Sequence, residues 1–182
     1  MEIDTIIDFS VNVFKKLFKI DLEWFFAEVN INISEYLKKS VTMAYSHADK
    51  CIVISPYILE QFFDEGITVK KMIHIIFSLI AHEFRHAWQY TKEEFKNSLK
   101  EYKIFSTHKE SYVYQDTEID AYAFQLACYW IISDNLNSYL TVPEELNKEV
   151  NQLAIKLYYQ YCNDIKLILK DMITKYPDIK CL

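Results

Sequence analysis

Residues Ser78 to Tyr90 read SLIAHEFRHAWQY, and within them His82, Glu83, Phe84, Arg85 and His86 spell HExxH. Around this stretch Ile73, Ile76, Phe77, Ile80, Phe84 and Ala87 recur at three- and four-residue intervals. That stripe predicts a long helix over about 68–92, packed hard against a core. On such a helix His82 and His86 lie one turn apart and share a face. Two imidazoles so placed suit a single tetrahedral Zn²⁺. Glu83, next to the first of them, turns toward the open coordination position, where it can take a proton from a metal-activated water. The histidines lie beside Ile75 and Leu79 rather than at the centre of the stripe. The helix is therefore expected to bury one flank and present its ligands on the other.

A chance HExxH arises about once in a hundred chains of this composition, so the motif needs a third ligand to carry weight. The plain alternative is a charged helix flank in which Arg85 pairs with a nearby acid. About thirty residues on, DTEIDAYAFQLA places Asp116, Glu118 and Asp120 at the start of a second predicted helix, over 116–133. Ile119, Ala123, Leu126 and Trp130 form its buried stripe, while Glu118 shares a face with Tyr122, Gln125 and Tyr129. A carboxylate from this helix would complete a His₂Glu site and leave the fourth position to water. Three acids in one turn leave the choice among them open, and any of them also suits the positive end of a helix dipole.

HExxH followed by a helix reading E-x-x-A-x-x-F resembles the gluzincins, a family of zinc peptidases. The resemblance is strongest to their smallest members, the minigluzincins and the ImmA/IrrE-type metallopeptidases. It implies an α+β minimal zincin fold, helix-rich, with a small β-sheet over the active-site helix. It also implies His82, His86 and Glu118 as Zn²⁺ ligands, Glu83 as general base and Ala121 as the small residue that lets two helices approach. The segment DKCIVISPYIL is similar to the strand and helix that precede the active-site helix in minimal zincins, where an edge strand lines the substrate cleft. The similarity covers about residues 41–133. Many gluzincins carry an Asp four residues after the ligand Glu, where it orients a zinc-bound histidine; here that position is Tyr122, whose phenol is expected to accept the bond instead.

Elsewhere, Ile7, Val11, Phe14 and Phe18 predict an amphipathic helix over 4–18. Residues 24–33 read as either a strand or a broken helix. Two short strands, 41–45 and 51–55, flank SHADK as a hairpin turn. Pro56 opens a short helix through Phe63, with Gly66 capping its end. A helix and loop over 93–114 would border the cleft and offer His108, Tyr112 or Tyr114 as oxyanion donors. Trp88 and Gln89 read as structural, with a cleft-facing Gln89 as the alternative, His47 as a turn residue and His74 as a helix-surface residue. After Pro143 the chain reads as one or two further helices.

The 182 residues fit one domain over 1–182, its motif-bearing core flanked by helical extensions. With one glycine, Gly66, the chain has no GxGxxG or P-loop phosphate cradle. A formal charge of −6 argues against a nucleic-acid partner, and Lys15, Lys16 and Lys19 read as a solvated helix face. No apolar run approaches a membrane span, and MEIDTIIDFS carries acids where a secretory signal carries bases; a cytoplasmic location and no membrane association are expected. Cys51, Cys128, Cys162 and Cys181 share no CxxC spacing and are expected to be reduced thiols. The leading expectation is a zinc-dependent peptidase acting on a peptide or protein substrate. The alternative is a zincin-fold zinc sensor or peptide-binding protein without turnover.

Overall fold

Thr68 starts the helix that carries the motif: in extended conformation, its hydroxyl accepts from the Lys71 amide at 3.3 Å. With no glycine or proline inside it, this helix runs Val69–Gln89, three residues short of the expected end. Thr91 Oγ1 caps its last turn by donating to the Trp88 carbonyl at 2.7 Å. The computed structural model describes residues 2–27, 43–56, 66–101, 112, 114–136 and 146–179. Within these, α1 is Ile3–Phe18, β1 Glu23–Phe26, β2 Met43–Ser46, β3 Cys51–Ile54 and α2 Val69–Gln89. A 3₁₀ turn, Glu93–Phe95, leads into α3, Lys96–Lys100; then come α4, Asp116–Ser133, and α5, Asn147–Ile173. The architecture is helix-rich α+β with a small three-stranded sheet.

The sheet order is β1-β3-β2, with β3 paired parallel to β1 and antiparallel to β2. The expected hairpin is therefore present, its register opposing Tyr45 to Ile52 and Ser46 to Cys51. Of the ambiguous segment 24–33, residues up to Phe26 form a strand, and residues 28–33 lie outside the described residues. The short helix expected after Pro56 also lies outside them, as do His108 and Cys181. Gly66 has φ 59°, the left-handed conformation expected of a helix-ending glycine. The hairpin leans on the end of α2: the His47 ring stacks on Tyr90 at 3.7 Å, and Tyr45 approaches Tyr90 at 6.0 Å.

One apolar core joins α1, the sheet, α2, α4 and α5. Phe14 is its hub, with ring centroids 4.8 Å from Phe77, 5.8 Å from Phe84 and 6.1 Å from Phe124. Fully burying each such ring is worth roughly 1.5–3 kcal/mol relative to leaving it exposed, so this cluster fixes how α1, α2 and α4 meet. Among the described residues after Leu146, α5 is one long helix followed by a 3₁₀ turn, Pro177–Ile179, and it packs on α4 and α1 through Tyr161 and the following Tyr176.

Two expectations about faces are corrected. From Ile80 to Ala87 every residue of α2 is buried, so the ligand flank is covered as fully as the core flank. Likewise α4 is buried on almost every side, Glu118 included, rather than along one stripe. Both helices are sandwiched between neighbours, and amphipathic spacing reports only the more apolar side. His74, read as a surface residue, is 6% exposed; burial is the first cause that lowers its pKa, and Lys70 adds to it. Lys15 and Lys16 pair with Asp21 and Asp171. Cys51, Cys128 and Cys162 are free thiols. Among the described residues no helix is long and apolar enough to cross a membrane.

Candidate metal centre

Two packed helices bring the motif residues together. The second half of α2 supplies His82 and His86, one turn apart, and the first turn of α4 supplies Glu118 from across the helix interface. Glu118 also sits where the exposed amides of a helix N-terminus favour a carboxylate. His82 Nε2 lies 3.1 Å from His86 Nε2, and these nitrogens lie 3.5 and 3.3 Å from the two Glu118 oxygens. A tetrahedral ion with bonds of about 2.0–2.2 Å sets its ligand atoms about 3.3–3.5 Å apart, and each histidine nitrogen stands at about that distance from one oxygen of the carboxylate. His82, His86 and Glu118 could together hold a metal ion.

The outer nitrogens settle which lone pairs point inward. His82 Nδ1 is 3.0 Å from Gln125 Oε1, and His86 Nδ1 is 3.0 Å from Gln89 Oε1. With both amide oxygens toward the rings, each Nδ1 donates to its glutamine and each Nε2 faces the shared centre. Two lone pairs and a carboxylate converging at these distances repel unless something positive lies between them. In the metal-free chain a proton takes that part. Burial alone would lower the His86 pKa, but the Glu118 carboxylate, helped by Glu83 and the Gln89 hydrogen bond, raises it to about 9. Burial would likewise raise Glu118, yet His86 and His82 hold it well below the usual carboxylate range.

The remaining sequence candidates fall out differently. Glu83 is 8% exposed and close enough to His86 and Tyr122 for its charge to raise both their pKa values. Asp116 is exposed. Asp120 is buried but faces away from the centre, bound by Arg85 and Gln89. The pairing of Arg85 with an acid, posed as the alternative to a metal site, thus coexists with the ligand cluster. Ala121 is fully buried on α4. Tyr114 is 52% exposed and Tyr112 half-buried.

Tyr122 does not make the hydrogen bond expected of it to a histidine of the cluster. Its ring stands edge-on to that of His82 at 4.8 Å, and Gln125, one turn further along α4, makes the hydrogen bond. Burial, then Glu118 and Glu83, push the Tyr122 phenol up to about 12, so it remains a protonated donor beside both carboxylates. Gln89 and Gln125 are the partners of the two histidines, a role the sequence reading gave to neither. The signal that could have found them was spacing: Gln89 lies one turn beyond His86 and Gln125 two turns beyond Glu118. No protein-family model matches this chain, and no curated protein or solved structure matches it either.

Proposed function

We propose that the chain is a zinc-dependent peptidase of the minimal zincin type, with His82, His86 and Glu118 as the Zn²⁺ ligands and Glu83 as the general base. The observation that carries this reading is the convergence of two imidazole nitrogens, 3.1 Å apart, on the two oxygens of one buried carboxylate at 3.3 and 3.5 Å, with both outer imidazole nitrogens facing glutamine oxygens. Two nitrogens and one oxygen around a compact centre favour Zn²⁺ over Mg²⁺ or Ca²⁺, which prefer six or more oxygens. When bound, the metal would supply Lewis acidity, polarising a carbonyl and making water a nucleophile near neutral pH. His82, His86 and Glu118 would hold the ion, the carboxylate offsetting part of its charge, and Glu83 would be the base that takes a proton from water. Tyr122, whose phenol is pushed up to about 12 by burial and by the Glu118 and Glu83 charges, is a protonated donor beside them.

The second reading, a zinc sensor or peptide-binding protein without turnover, draws on the burial of all four residues, each 9% exposed or less. Structural zinc sites are closed, and catalytic ones keep a position open to water. Zinc analysis of the untagged protein together with the Glu83→Gln variant separates the readings. The peptidase reading expects about one equivalent of zinc in both forms and cleavage of a peptide library only by the unsubstituted chain. Zinc in both without Glu83-dependent cleavage would leave the sensor reading. Absence of zinc from both would end each of them.

A further inference from the structure

Building on the reading of His82, His86 and Glu118 as zinc ligands, we infer that Asp120, clamped by Arg85, is a positioning residue that sets the tautomer of His86 through Gln89. The side-chain amide of Gln89 could in principle turn either its oxygen or its NH₂ toward His86 Nδ1. Its NH₂ donates to the Thr117 carbonyl at 2.8 Å and to Asp120 Oδ2 at 2.8 Å. Both of those oxygens can only accept, so the NH₂ is committed to them and Oε1 is left for His86. His86 must then keep its proton on Nδ1 and offer Nε2 to the centre.

Asp120 can hold this post because its own geometry is fixed. Arg85 grips it with two parallel hydrogen bonds, Nε to Oδ2 at 2.7 Å and Nη2 to Oδ1 at 2.9 Å. The guanidinium is itself braced, lying 3.8 Å from the centre of the Trp88 ring and donating to Tyr161 of α5 at 3.3 Å. Arg85 and Asp120 are 4% and 7% exposed, so neither exchanges its partner for water. His82 differs. Gln125, which serves its Nδ1, makes no further hydrogen bond among the described residues, and no charged pair stands behind it.

A buried ion pair that served packing alone would be replaceable without consequence for His86. Asp120→Asn keeps the side chain's shape and turns one oxygen into a donor. If that donor faces Gln89, the glutamine turns over and presents its NH₂ to His86, moving the imidazole proton onto Nε2. The test is ¹⁵N NMR of the histidines in the metal-free full chain at alkaline pH, where His86 is neutral, with zinc affinity measured separately by chelator competition. The expected result is zinc binding weakened by about 10- to 100-fold and loss of the Nδ1–H signature of His86, with the His82 signals unchanged. Gln89→Met, which leaves the ion pair intact and removes the acceptor for Nδ1–H, should likewise weaken zinc binding and free His86 to sample both tautomers. Should Asp120→Asn fail to fold, Arg85→Lys, which keeps the charge and loosens the grip, must shift the same His86 signals. Unchanged His86 signals and zinc affinity in the folded variants would reduce Arg85 and Asp120 to a packing role. Failure of the unsubstituted chain to take up zinc would instead overturn the reading of the centre, and the ¹⁵N comparison in alkaline, metal-free protein would still judge the lock.

Discussion

Helix α2 has two buried sides that do opposite things. Toward α1, Phe77 and Phe84 meet Phe14, and Ile73, Ile76 and Ile80 join the same hydrocarbon core. Toward α4, His82, Arg85, His86 and Gln89 meet Glu118, Asp120, Gln125 and the Thr117 carbonyl. The two sides are about equally dry. The first gains free energy by removing carbon from water and needs only shape. The second takes charge and hydrogen-bonding groups out of water and is tolerable only because each finds a partner. Stability therefore comes mainly from one side, and chemical specificity from the other.

The sharpest way to break this division is to cut each side separately. Glu118→Ala should abolish stoichiometric zinc binding, a larger loss than the about 10- to 100-fold expected for an outer hydrogen bond, as read by elemental analysis of the folded protein. Phe77→Ala should cost about 3–5 kcal/mol in urea unfolding of the metal-free protein and leave the zinc affinity of the folded fraction intact. If Phe77→Ala lowered zinc affinity as much as it lowered stability, the two sides would not be separable.

A finer cut compares two neighbours of His82. Gln125→Leu removes the hydrogen bond to Nδ1 and should weaken zinc binding by about 10- to 100-fold in a competition titration. Tyr122→Phe keeps the ring that packs on His82, so its effect on affinity should be far smaller, within the about 0.5–1.5 kcal/mol of an aromatic contact. The reverse order would restore the phenol as the histidine's support.

The gentlest probe is pH. His86 has a folded pKa raised from 6.5 to about 9, so its contribution to the stability of the metal-free protein is full below 6.5 and is lost as pH rises through about 9. Glu118 has a depressed folded pKa, so its contribution is present above its ordinary 4.5 and is lost only in strong acid. Thermal melting of the metal-free chain should accordingly fall as pH rises from 6.5 to 9. Zinc affinity should rise over the same interval, because the metal displaces the His86 proton. A melting temperature flat across that range would show that the imidazole and carboxylate do not share a proton.

Much of this was legible along the chain. The apolar interval from Ile73 to Ala87, the first-turn acids of DTEIDAYAF and the SHADK turn are local signals, and the helices at 3–18, 69–89 and 116–133 and the β2–β3 hairpin follow them closely. HExxH was legible for the same reason, since one helical turn fixes the distance between His82 and His86. The parallel pairing of β1 with β3 was not, because it joins residues on either side of a long excursion. Nor was the burial of His74 and of the ligand flank of α2, which depends on where α4 comes to rest.

The sequence by itself determined that two histidines would share a helix face, that acids would start a later helix, and that the chain would be rich in helix. Only the tertiary structure chose Glu118 over Asp116 and Asp120, gave Asp120 to Arg85, and set Gln125 rather than Tyr122 behind His82. The physical reason is range. Helical spacing is dictated by backbone geometry within a few residues, whereas a buried polar group takes whichever partner the packing of a second helix brings within about 3 Å.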